Sequence, residues 1–328
     1  MQLDTVSVIG GGAWGTALAQ AAAMAGRDVS LVLRDLQQVG DINANHQNSR
    51  YLQDQILHAG IVAMLAPEPA DFVILAVPAQ ATRTVLSAID PALLAHRPVI
   101  LSAKGLETGT LARQSEILLD MAPHAIPFVL SGPSFASDVA AGRPTAVTLA
   151  GDDAEQTSVI AAALAGPSFR PYAADDRIGV EIAGALKNVY ALACGAVDGA
   201  GLGASARSAL LARGYAEMAR LVTAMGGSAT TLTGLAGLGD LTLTCTSVQS
   251  RNYQFGMALG RGQSVEAILA SGAKLAEGVA TTPVADALAR SLHVDAPLIA
   301  AMQAVLSGQA NIATVVAGLM SRPLKRED

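Results

Sequence analysis

The chain has 328 residues, 51% of them hydrophobic but only 3% aromatic, with 15% charged and a formal net charge of −6. That length accommodates two domains with separate cores, packed chiefly by Ala, Leu, Val and Gly. The acidic balance offers no basic surface to nucleic acid or anionic lipid, so neither is expected as a partner.

The first residues run straight into a β-branched strand with no basic n-region or apolar h-region, so a secretory leader is not expected. Near-continuous apolar runs at 6–10 (VSVIG), 29–33 (VSLVL), 72–77 (FVILAV), 99–103 (VILSA) and 128–132 (FVLSG) have the pattern of parallel strands buried on both faces. Two shorter strands are expected at 146–150 and 169–173, with helices such as 14–26 and 81–89 in between. This alternation predicts a doubly wound α/β domain over residues 1–175. Alanine-rich segments of 3.6-residue period then follow at 178–197, 207–226, 253–260, 264–271, 281–292 and 296–307. They predict an all-α domain over 176–328. The uncharged stretch Ala296 to Ser321 contains Pro297, Gln303, Gly308, Gln309 and Asn311. It predicts two buried helices broken near Gly308, not a membrane span.

Cys194 and Cys245, far apart in sequence, make neither a disulfide framework nor a CxxC motif, which points to a reduced, cytoplasmic protein. The five histidines include no pair at ligand-like spacing, so no metal is expected.

The first strand leads into Gly10-x-Gly12-x-x-Gly15 and an alanine-rich helix ending at Gly26. The first glycine permits a tight turn, the second lets backbone approach a pyrophosphate, and the third lets helix and strand pack closely. The helix N-terminus presents free N–H groups to the phosphates. Dinucleotide binding is expected, with Trp14 covering the cofactor. After the second strand, Arg34 and Asp35 compete for the ribose end. A carboxylate there holds a ribose diol, and an arginine a 2′-phosphate. Arg34 is favoured, which makes the expected cofactor NADP or NAD with NADPH preferred.

Only four lysines occur, at 104, 187, 274 and 325. Lys104 ends a parallel strand, where open α/β sheets bind ligands. Lys187 interrupts the apolar helix GVEIAGALKNVYALACGAVDG. On its own it reads as a snorkelling lysine. In the stretch 233–256, three glycines turn the backbone tightly ahead of Asp240, and Ser250-Arg251-Asn252 opens the next helix with Ser250 as N-cap. An arginine fork and an amide at a helix start suit a phosphate.

The segments IGGGAWGTALA, VILSAKGLE, LSGPSFA, IAGALKNVYALA, TGLAGLGDLTLTC, SRNYQFG and AEGVATTP, in this order and spacing, resemble the bacterial NAD(P)-dependent glycerol-3-phosphate dehydrogenases over nearly the whole chain. The resemblance implies a Rossmann-type sheet followed by a helical substrate domain. It implies interconversion of dihydroxyacetone phosphate and sn-glycerol 3-phosphate, supplying glycerophospholipid synthesis. Lys187 is then the proton donor or acceptor, with Lys104, Asn188, Asp240 and Thr244 around the reacting carbons. Ser250, Arg251 and Asn252 take the phosphate side, with Arg251 also near the cofactor. Gly132, Ser134, Ala136 and Glu277 match positions that touch substrate or cofactor. Ala13 stands where Ser or Thr is frequent, Leu275 where Val is, and Tyr253-Gln254 where basic residues are common.

A buried apolar helix then suits the chemistry, because burial and a neighbouring Lys104 disfavour the charged form of Lys187 while Asp240 pulls the other way. A two-domain 3-hydroxyacid dehydrogenase shares the same halves and would be told apart by turnover of a carboxylate substrate. A nucleotide sensor without catalysis would turn over no small ketone. The apolar helical half makes a homodimer the expected assembly.

Overall fold

The computed structural model describes residues 3–272, 276–324 and 326. Eight strands form one sheet: β1 Thr5–Ile9, β2 Asp28–Val32, β3 Ile61–Met64, β4 Phe72–Leu75, β5 Pro98–Leu101, β6 Ile126–Ser131, β7 Thr145–Ala150 and β8 Phe169–Ala174. Their order is β3-β2-β1-β4-β5-β6-β7-β8. Every neighbouring pair is parallel except β6 with β7.

That antiparallel pair has a local cause. Gly132, at φ +145°, turns the chain directly off β6. The connection holds only the five-residue helix α5, Ala136–Ala140, and the chain returns beside the strand it left. The edge strand β3 was not expected. Its four residues alternate between buried and more open positions and give too short a run to register in the sequence.

Helices α1 Ala13–Met24, α2 Leu36–Asn45, α3 Thr82–Ser87, α4 Gln114–Met121 and α6 Ala154–Leu164 cover the sheet. Alternate strand residues feed two cores. Val6, Val8, Ile74 and Phe128 pack in one with Leu18 of α1. Ile9, Leu75, Val99 and Leu101 pack in the other with Ile117 of α4. Burial on both faces is why these strands read as unbroken apolar runs.

After β8 the described chain is helical. Helix α7, Arg177–Gly199, is buried from Gly179 to Val197. Around it lie α8 Ala204–Ala224, α9 Asp240–Thr246, α10 Arg251–Gly260, α11 Val265–Ala270, α12 Glu277–Ser291, α13 Pro297–Leu306 and α14 Ile312–Met320. Helix α7 is the one described helix long and apolar enough to cross a membrane, and it is wholly enclosed by its neighbours.

Helices α7 and α10 touch backbone to backbone. A Cβ on Gly195 would sit 2.1 Å from the Tyr253 carbonyl oxygen, and one on Gly256 would sit 2.0 Å from that of Leu192. Glycine at both positions sets the approach that places the start of α10 beside the middle of α7.

The expectation of two buried helices over 296–321 holds only for the first. Leu298, Ile299 and Met302 of α13 are buried, whereas no residue of the apolar helix α14 is. Its period is helical, but only Leu319 of its residues packs against the helical core.

Candidate active site

The glycine turn is built for close backbone approach. A Cβ at Gly15 would lie 1.8 Å from the Gly10 carbonyl oxygen, whereas the space around the Cβ direction of Gly12 is open. Gly12 is the N-cap of α1 and supplies no side-chain cap, so the first N–H groups of the helix stay available. Trp14 Nε1 is buried without a hydrogen-bond partner among the described residues. Ala13 and Trp14 both pack on the first core. Open space over uncapped N–H groups, with a buried unpaired donor beside it, fits a dinucleotide pyrophosphate.

At the ribose end the structure separates the two competitors. Asp35 Oδ1 caps α2 by accepting from the Gln37 and Gln38 amides at 3.0 and 3.4 Å. Arg34 is exposed. It has no hydrogen bond or ion pair among the described residues, so its guanidinium is free for a ligand.

The chemical centre gathers four elements. Lys104, just past β5, donates to the Gly132 carbonyl at 3.1 Å and to Asp240 Oδ2 at 2.7 Å. Lys187, in the middle of α7, donates to Asp240 Oδ1 and, at 2.9 Å, to Thr244 Oγ1. Asp240 and Thr244 lie one turn apart on α9, so both face Lys187. A wide π turn over Leu235–Gly239 delivers Asp240 there, and its tightness requires Gly237, whose Cβ would fall 2.1 Å from the Leu232 carbonyl oxygen.

Burial and the adjacent Lys104 ammonium lower Lys187 to about 8 despite the opposing pull of Asp240. Burial pushes the Asp240 carboxyl up, but the two ammonium groups outweigh it and hold the group below its ordinary value. Lys187 is 6% exposed, so it does not snorkel.

A chain of amides links the site to its surroundings. The Gly278 amide donates to Asn252 Oδ1, Asn252 Nδ2 to Asn188 Oδ1, and Asn188 Nδ2 to the Lys104 carbonyl, each at 2.8–2.9 Å. Four segments are held in register by two buried side-chain contacts and one part-buried one. Of the three SRN residues, Ser250 accepts from the Tyr253 amide at 3.2 Å as the N-cap, and Asn252 is committed to this chain. Arg251 alone is exposed, with no hydrogen-bond or ion-pair partner among the described residues. Arg251 is thus the member of the tripeptide whose side chain is left for a ligand.

Ser134 donates to the same Gly132 carbonyl as Lys104, at 3.0 Å, and Ala136 starts α5 close by in sequence. Glu277 opens α12, half-buried. Burial raises its carboxyl, against the opposing pull of Arg251, Lys187 and Lys104. Leu275 lies outside the described residues. Two residues that sequence reasoning passed over are Gln38 and Asn48. Gln38 Nε2 and Asn48 Nδ2 both donate to the Gly11 carbonyl, at 2.8 and 3.1 Å, and Asn48 also donates to Thr16. No motif marks them, because their role is to hold a turn whose partner is distant in sequence.

Two family models describe the chain: the N-terminal part of NAD-dependent glycerol-3-phosphate dehydrogenase over residues 5–157 and the C-terminal part over 176–317. The NAD(P)+ glycerol-3-phosphate dehydrogenase of Caulobacter vibrioides is 48% identical over 330 residues, covering 100% of both chains. The chain belongs to the NAD(P)-dependent glycerol-3-phosphate dehydrogenase family. The enzyme of that description from Rhodospirillum rubrum is 47% identical, over 99% of this chain and 94% of its own. The crystal structure of glycerol-3-phosphate dehydrogenase from Coxiella burnetii superposes with a TM-score of 0.90 at 36% identity, covering 98% of this chain and 99% of that one. Members of this glycerol-3-phosphate dehydrogenase family are oxidoreductases that use NAD(P), and the glycine turn described above has the form such a cofactor requires.

Proposed function

We propose that the enzyme interconverts dihydroxyacetone phosphate and sn-glycerol 3-phosphate with Lys187 as the proton donor and acceptor. The observation that carries this reading is the position of Lys187 Nζ: buried, held by Asp240 and Thr244, and lowered to about 8, near working pH. A bound nicotinamide supplies hydride transfer to or from the secondary carbon. The chain itself must then deliver or take the proton on oxygen. In reduction, charged Lys187 gives a proton to the nascent alkoxide; in oxidation, the neutral amine removes it. Asp240 and Thr244 fix the amine's direction, and Lys104 adds positive charge beside a carbonyl oxygen that becomes negative.

Arg251 takes the substrate phosphate as a charge-assisted fork. Gly132, Ser134, Ser250 and Asn252 line the substrate side, and Gly10, Gly12, Ala13, Trp14, Gly15, Ala136 and Glu277 the cofactor side. Arg34 takes the 2′-phosphate of NADPH, a preference supported by Asp35 being occupied as a helix cap. Residues 1–175 act as the dinucleotide-binding part and 176–328 as the helical substrate part. The physiological direction is reduction, in the cytoplasm, supplying glycerol 3-phosphate to phospholipid headgroups. A homodimer is supported by α14, whose apolar residues have no buried position within the single chain.

The deciding experiment measures NADPH oxidation with dihydroxyacetone phosphate, unphosphorylated dihydroxyacetone and a 3-oxo acid, for the native chain and Lys187→Ala. Fast turnover of the phosphate ester alone, lost in the variant, is the expected result. Preference for the oxo acid would overturn the substrate, and normal turnover in the variant would overturn the role of Lys187.

A further inference from the structure

Asp35 sits where an NAD site places the carboxylate that holds the ribose diol, yet both its oxygens are already engaged. Oδ1 caps α2, and Oδ2 lies 3.2 Å from Arg50 Nη1. Arg50 comes from the turn after α2, two residues past Asn48. That asparagine is fully buried and fastened to the glycine turn through the Gly11 carbonyl, Thr16 Oγ1 and Gln38. The Arg50 guanidinium is therefore not carried on a loose loop: its turn is tied to the backbone that would hold the pyrophosphate. It also lies 5.4 Å over the Tyr51 ring, which limits its directions.

The structure assigns Arg50 as a second determinant of cofactor choice: it neutralises Asp35 and, with Arg34, forms a two-arginine cradle for the 2′-phosphate of NADPH. This rests on the proposed ribose-end role of Arg34. The physical reason is charge. An uncompensated carboxylate beside Arg34 would repel a 2′-phosphate dianion, whereas paired with Arg50 it leaves a net positive corner. Phosphate has oxygens enough for both guanidinium forks. A ribose diol has no such charge, so NADH should be indifferent to Arg50.

The test is calorimetric binding of NADPH, NADH and 2′,5′-ADP to the enzyme without substrate, comparing native protein with Arg34→Ala, Arg50→Ala and Asp35→Asn. Asparagine still caps a helix, so the last variant removes charge while keeping α2. Expected are a ten-fold or greater weakening of NADPH and 2′,5′-ADP in Arg50→Ala with NADH within two-fold, and NADPH binding in Asp35→Asn that is unchanged or tighter. Unchanged NADPH affinity in Arg50→Ala while Arg34→Ala is weakened would overturn the role of Arg50 alone. Unchanged affinity in both would overturn the ribose-end reading beneath it. A loss of NADH affinity in Asp35→Asn would show the carboxylate on the ribose diol and overturn the neutralisation.

Discussion

Asp240 divides one buried carboxylate between two lysines: Oδ1 accepts from Lys187, and Oδ2 accepts from Lys104 at 2.7 Å. The triad carries one negative and two positive charges when both amines are protonated. Of the pair, Lys187 is the one whose burial makes the extra proton costly. That burial singles out Lys187 as the titrating acid–base group.

Removing the titrating member should stop the proton step without dismantling the site, because Asp240 keeps Lys104 as a partner. Lys187→Ala should lower kcat by roughly 10²–10⁴-fold, the range for losing a general acid–base group. NADPH affinity should hold. In the native enzyme the reduction rate should fall as pH rises through about 8, where Lys187 loses its proton. Its pH–rate profile should lose that limb in the variant, and a small added amine should restore part of the rate.

Asp240→Asn should move the same limb in a defined direction. The carboxylate is the group that favours the charged amine, while burial and Lys104 oppose it. Without it Lys187 holds its proton less tightly, so reduction should decline at a pH lower by about one unit or more. A limb that stays in place or moves upward would show that another group reports the profile.

The sequence disclosed the parts of this site that depend on local spacing and hid those that depend on meetings at a distance. Gly10, Gly12 and Gly15 are legible because three glycines at that spacing after a strand have one backbone use. Ser250 is legible as an N-cap for the same reason. Asn252 is not, because whether an amide faces a ligand or Asn188 depends on where α7 and α10 cross. That crossing depends in turn on Gly195 and Gly256, which look like ordinary glycines in alanine-rich helices. The direction of β7 was hidden because an apolar strand has the same composition in either sense. Helix α14 was misplaced because apolar periodicity reports a face that seeks cover, not what covers it.

Substrate selection should rest on Arg251. Arg251→Ala should raise the KM for dihydroxyacetone phosphate at least ten-fold, since a hydrogen bond to a charged group contributes about 1.5–3 kcal/mol. Discrimination against unphosphorylated dihydroxyacetone should shrink in step. Asn252→Ala should differ in kind, because it breaks the contacts to Asn188 and to the Gly278 amide. It should lower kcat and thermal stability together. Equal KM effects with intact stability in both variants would return Asn252 to the phosphate.

The close α7–α10 crossing can be tested without touching a polar group. Gly256→Ala would force a methyl against the Leu192 carbonyl oxygen, 2.0 Å away, and neither backbone can yield locally. Overpacking of this kind costs about 1–3 kcal/mol. The helix must shift, carrying Arg251 with it, so the KM for dihydroxyacetone phosphate should rise while NADPH binding stays close to native. A native melting temperature in this variant would show that the crossing has slack.

A pH dependence of stability should come from Glu217, far from the chemistry. It is 1% exposed on α8 and accepts from the Leu298 and Ile299 amides at the start of α13, at 2.7 and 3.3 Å. Burial raises its carboxyl to about 7, although both amides favour the charged form. The folded protein therefore binds this proton more tightly than the unfolded chain, with its ordinary value of 4.5. The resulting stability is fully present below about 4.5 and is lost as pH rises through about 7. At about 1.4 kcal/mol per unit, the loss is on the order of 3–4 kcal/mol. Glu217→Gln is neutral at every pH and should flatten this part of the profile, melting above the native protein at pH 8 and close to it at pH 4.5. Denaturation curves of both proteins at those two pH values check it; parallel curves would mean that Glu217 titrates alike folded and unfolded.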